Sequence, residues 1–172
     1  TMKLLHTMGA ALAAASLLIA PLESAAQIGG KPVRIIVPFA PGGGQDILAR
    51  SFNSELGAAL GQPVIVEYRA GGGGGVGTLY VAKAEPDGLT LSMSAASHII
   101  SAVLTSKPPY HPIKDFTAVA HVGTGSQVLI INSQVPAKAI GEFIKYAKAN
   151  PGKLNYGTAG SGSSTHLAMA YF

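Results

Sequence analysis

The sequence predicts an α/β protein built on parallel-rich sheets with flanking helices. Three observations carry this. Short β-branched runs alternate with amphipathic helical runs, the connections are brief, and glycine-rich loops stand between strand ends and helix starts. Val33 to Phe39 opens the pattern as an apolar run suited to a strand buried on both faces. After the breakers Ala40 to Gly44, Leu48, Phe52, Leu56 and Leu60 recur every four residues, which predicts an amphipathic helix stopped by Gly61-Gln62-Pro63. Val64 to Tyr68 is the second strand. Such a unit closes as a right-handed crossover between parallel strands.

The order then repeats. Arg69 to Gly77 is a second glycine-rich loop, Thr78 to Ala84 a short helix, Glu85 to Gly88 a turn and Leu89 to Met93 a third strand. Ser94 to Ser106 reads as a loop and helix, and the proline-rich Lys107 to Pro112 as a non-helical connector. Extended runs are expected at His121-Val122, Val128 to Ile131 and Leu154 to Tyr156. Between them Ile140, Phe143, Ile144 and Ala147 mark a helical face closed by Asn150-Pro151-Gly152. A last helix starts at Ser163 to Thr165. Phe172 falls inside its apolar pattern with no breaker after it, which predicts that the chain is the N-terminal part of a longer one.

The first 26 residues follow the order of a secretory signal. Lys3 supplies the positive charge, Met8 to Ala20 the apolar run, and Ser24-Ala25-Ala26 the small residues before a cut. Thirteen apolar residues fall short of the ~20 that span a bilayer. One Lys and one Glu leave with this segment, so the net charge of +4 is unchanged. The remaining basic residues are scattered and not interleaved with aromatics, which argues against nucleic-acid binding. Cysteine is absent, which excludes disulfides, thiolate metal sites and a Cys nucleophile.

Three loops share one design of strand, small residues and helix start: Pro41 to Asp46, Gly71 to Gly77 and Gly157 to Ser164. Glycine admits a ligand close to the backbone, and the first amides of each helix point outward at the positive end of its dipole. The pattern predicts a cleft for a carboxylate or phosphate at the carboxyl ends of the strands. The competing motifs fail by spacing. Ile47 stands where a dinucleotide loop needs its third glycine, and Thr78-Leu79 where a phosphate loop needs Lys and Ser or Thr. No serine has the flanks of a nucleophile elbow.

His98, His111, His121 and His166 show no metal-ligand spacing, and no metal site or cofactor is expected. His98 and His166 suit a ligand contact or the bracing of a loop equally, whereas His111 and His121 suit a structural role. Asp46 can bond a ligand's hydroxyl or amino group or serve as favourable charge in the first helical turn. Arg69 reads first as a sheet-end arginine and second as an anion partner.

At Arg34-Ile-Ile-Val-Pro-Phe-Ala-Pro-Gly-Gly-Gly-Gln-Asp46 the sequence resembles the Bug family, the periplasmic solute receptors of tripartite tricarboxylate transporters. The resemblance continues through Leu60 to Glu67, Ala84 to Leu91, Tyr110 to Phe116, Val135 to Lys138, Ala149 to Gly157 and Gly160 to Ala168. It implies a type II periplasmic-binding-protein fold of two lobes closing on a ligand, with the second lobe incomplete. The expected division is a signal over 1–26, a first lobe over 27–123 and the start of a second over 124–172. It also implies a non-enzymatic, monomeric receptor for a small organic anion (a di- or tricarboxylate, acidic amino acid or aromatic carboxylate) that serves membrane permease subunits from the periplasm. The positions matching the family's ligand contacts are Pro41, Gly42, Gly43, Gly44, Gln45 and Asp46, then Ser94, Ser97 and His98. From the opposite lobe they are Thr158, Ala159, Gly160, Ser161 and Ser164. Gln45, Tyr68, Ala70 and Ala170 depart from the usual family residues. Two alternatives stand beside this reading: an enzyme using the glycine loops for phosphate or a cofactor, and a truncated copy without function.

Overall fold

The computed structural model describes residues 30–172; the signal-like segment lies outside them. Strand β1 (Val33–Val37) is central in a parallel sheet of order β2-β1-β3, with β2 at Val64–Tyr68 and β3 at Thr90–Ser92. Val33 pairs with Val64 and Val37 with Tyr68, while Arg34 pairs with Thr90 and Ile36 with Ser92. The central position explains the sequence of β1. Its odd residues Val33, Ile35 and Val37 and its even residue Ile36 are all buried, because helices cover both faces.

Helix α1 (Gly44–Leu60) covers the odd face, where Ile35, Val37, Ala49 and Met93 form a core flanked by Leu48, Phe52, Leu56, Val64 and Val66. It ends in a Schellman turn at left-handed Gly61, with the Gln62 amide bonded to the Gly57 carbonyl and the Gly61 amide to that of Ala58. Helix α2 (Gly75–Ala82), entered through a 3-10 turn at Gly72–Gly74, meets the even face, where Arg34 reaches the Tyr80 hydroxyl at 2.6 Å. Helix α3 (Ser97–Leu104) follows β3. The proline-rich connector folds back on it: the Tyr110 hydroxyl donates to the His98 carbonyl, and the ring stacks against that of His98 at 5.6 Å.

Beyond this unit lie helices α4 (Ile140–Ala149) and α5 (Ser164–Tyr171), neither with a buried residue. The expected strands at His121-Val122, Val128 to Ile131 and Leu154 to Tyr156 do not form. A β-branched run becomes a strand only with a partner for its amides, and the described sheet pairs three strands with none of these alongside. Val128 and Ile130 accordingly stay 78% and 85% exposed. The helix expected at Thr78 to Ala84 starts three residues earlier, because glycines enter its first turn.

Candidate ligand-binding site

The strand order 2-1-3 reverses direction between β1 and β3, and in such sheets the crevice opens beyond the carboxyl ends at that reversal. The loops following β1 and β3 are those that carry the first two groups of predicted residues. Gln45 joins them, its side-chain amide donating to the Met93 carbonyl at 3.0 Å. Gly74 ties in the second glycine loop: a Cβ there would crowd the Phe39 ring at 3.2 Å and lie in ordinary contact with the Ser97 hydroxyl at 3.5 Å. Gly77 sits against Pro38 and the Arg69 carbonyl, each 2.8 Å from where a Cβ would lie.

The third loop arrives on the same surface. A Cβ at Gly73 would lie 2.0 Å from the Ser161 carbonyl oxygen, and one at Gly162 would lie 2.9 Å from the Ser101 hydroxyl. The Ser101 hydroxyl lies between both backbones, its one proton shared by the Gly73 carbonyl at 3.4 Å and the Gly162 carbonyl at 3.3 Å. Gly73 is the contact residue that sequence reasoning missed as such. The five-glycine run was the available signal, since only a bare backbone at φ +60° admits so close an approach.

The helix starts differ in what they offer. Helices α1, α2 and α3 begin at Gly43, Gly74 and Ala96, with no side-chain cap on any of them. Backbone carbonyls already take the first amides of two of them: Gly75 and Val76 donate to Gly72 and Gly71 before α2, and His98 and Ile99 to Ala95 and Ala96 before α3. Of the three, among the described residues, only α1 offers first-turn amides, those of Gly44, Gln45 and Asp46, without an internal partner. Helix α5 is capped by Ser163, whose hydroxyl accepts from the His166 amide at 3.1 Å. Inside that loop the Ala159 amide donates to Thr165, that of Gly160 to Thr158, and that of Gly162 to the His166 ring.

Asp46 is buried and engaged from three sides. Its Oδ2 accepts the Gly42 amide at 2.7 Å, and its Oδ1 accepts the Tyr68 hydroxyl and the Arg50 guanidinium, both at 2.7 Å. Arg50 also donates to the Tyr68 oxygen. The Gly42 amide, then the Tyr68 hydroxyl and Arg50, hold the carboxyl below its ordinary range.

The histidines resolve by their partners. His98 contacts the Pro112 carbonyl through Nε2 at 2.7 Å, which requires a proton on that nitrogen, and its ring packs edge-on to Phe116. His98 Nδ1 is buried without a partner among the described residues. His111 Nδ1 accepts the amides of Ile113 and Lys114. Arg69 lies over the Tyr80 ring at 3.8 Å and within 3.7 Å of Glu67, a sheet-end role away from the crevice.

Two surface grooves lie elsewhere. One of about 720 Å³ runs past Lys31, Arg34, Tyr80, Lys83 and Leu89; another of about 530 Å³ lies over Ile131 to Glu142. Neither holds a predicted contact residue. Among the described residues no three His, Asp or Glu side chains gather as a metal site, and no helix is long and apolar enough to cross a membrane.

The fold defines the class of an α/β periplasmic binding protein, with glycine loops at the carboxyl ends of a parallel sheet. The chain belongs to the tripartite tricarboxylate transporter family receptors, the Bug proteins, a family that matches residues 48–172. BugT of Bordetella pertussis is 37% identical over 99% of the chain and 52% of its own length. The periplasmic binding protein BugD superposes with a TM-score of 0.71 at 32% identity, over 81% of this chain and 47% of that one. MatC of Rhodopseudomonas palustris with bound malate gives 0.68 at 33% identity, over 81% and 48%. The chain thus spans about half the length of the curated relatives it matches.

Proposed function

We propose that this protein captures a small dicarboxylate in the periplasm and presents it to the permease of a tripartite tricarboxylate transporter, without chemistry. The observation that carries the reading is the meeting of loops from both halves of the chain at Gly73 and Ser101, together with the uncapped start of α1 in the loop after β1. A carboxylate placed there receives backbone N–H bonds at the positive end of the helix dipole. Lys and Arg are absent from residues 41–46, 71–77, 94–98 and 157–164, so the grip is made by main-chain amides and hydroxyls and not by cationic side chains of these segments. Malate in the related MatC is the chemistry this arrangement suits.

In this reading residues 27–123 are the first lobe and 124–172 belong to the second, and a ligand touching both favours the closed form. The contacts assigned are the amides of Gly43, Gly44, Gln45 and Asp46, the hydroxyls of Ser94 and Ser97, and the Ser161 and Ser164 region. Export through the segment 1–26 places the receptor in the periplasm as a monomer. Isothermal calorimetry with succinate, malate, glutarate, citrate and benzoate tests this. A dissociation constant at or below the micromolar range for one of the three dicarboxylates is expected; binding of citrate or benzoate alone would overturn the dicarboxylate class, and no heat from any would overturn the receptor reading.

A further inference from the structure

Asp46 is the sole carboxylate within the four glycine and serine segments of the crevice. A ligand that carries an ammonium group beside its carboxylates needs an acceptor of opposite charge there, since an unpaired buried ammonium is costly. The residue type suits that task, yet three of its roughly four acceptor sites are taken and the residue is buried. Oδ2 holds the Gly42 amide, and Oδ1 holds both the Tyr68 hydroxyl and Arg50, with the cation already neutralising its charge. We infer that the receptor selects organic anions lacking an amine over their 2-amino counterparts, because the crevice's carboxylate is spent within its own chain. The inference rests on the receptor reading above and narrows its ligand class.

The test uses matched pairs that differ by the amine alone: succinate against L-aspartate, and glutarate against L-glutamate. Calorimetry on the purified receptor is expected to show the amino member of a binding pair at least about tenfold weaker. The Arg50→Gln, Tyr68→Phe double variant releases Oδ1 and should narrow that ratio by about threefold or more, with Tyr68→Phe alone moving it the same way. A thermal melt of each variant checks that it folds, and the single variant decides if the double one does not. Equal binding within a pair overturns the inference and leaves the receptor reading standing, as does a ratio unmoved in the folded variants. Silence from both pairs overturns the inference, and silence from the whole anion panel overturns the receptor reading with it.

Discussion

At the scale of single residues, two glycines of the second loop have opposite reasons to exist. Gly73 lies where a Cβ would sit 2.0 Å from the Ser161 carbonyl, at a φ of +60°. Gly75 opens α2 with nothing within 4 Å of its missing side chain and an ordinary helical φ. Gly73→Ala should therefore cost about 2 kcal/mol or more through backbone displacement and strain. Gly75→Ala should be neutral or stabilise by up to about 1 kcal/mol. Urea unfolding of the two variants makes the comparison. Asp46 gives a pH signature. Its folded carboxyl is held below the unfolded value of about 3.9 by Gly42, Tyr68 and Arg50. Its contribution is thus present above that value and is lost as pH falls through the folded one. The stability gap between the parent and Asp46→Asn should be wide at pH 7 and shrink toward pH 3 in the same experiment.

At the scale of elements, protection should follow pairing. Strand β1 exchanges hydrogen bonds with neighbours on both sides, and Ile36 at its centre is fully buried. Residues 117–132 pair with no strand among the described residues. Hydrogen exchange should find the β1 amides the slowest and those of 117–132 among the fastest. Slow exchange across Val128 to Ile131 would mean that this segment has found a partner. In the packed unit, Ile36→Val should cost about 0.5–1.5 kcal/mol, the price of one buried methylene. The β1–α1–β2 unit was legible in the residues because every signal agreed there: β-branched strands, a four-residue apolar spacing and a glycine stop. Val64 to Tyr68 forms as the expected strand. The later strands were misread because local propensity says what a segment can become, and pairing decides whether it does.

At the scale of the whole molecule, the grip proposed for the ligand is made of dipoles and not of paired side-chain charges. Ion pairs weaken with salt, whereas short contacts to buried amides are screened far less. Dicarboxylate affinity should change by less than about threefold between 50 and 500 mM salt. A steep fall would place a Lys or Arg in contact with the ligand and reassign the site.

The residues alone determined the alternating α/β order, the glycine loops before helix starts and the family, since these follow from short-range patterns and an ordered series of motifs. They also named Asp46 as a choice between ligand contact and local charge. Only the tertiary structure decided which loops share a surface and what Asp46 already holds. Gly73 against Ser161 and Tyr68 on Asp46 join positions far apart in the chain. No local pattern encodes such a distance; the twist of a parallel sheet and the packing of helices on its two faces set it.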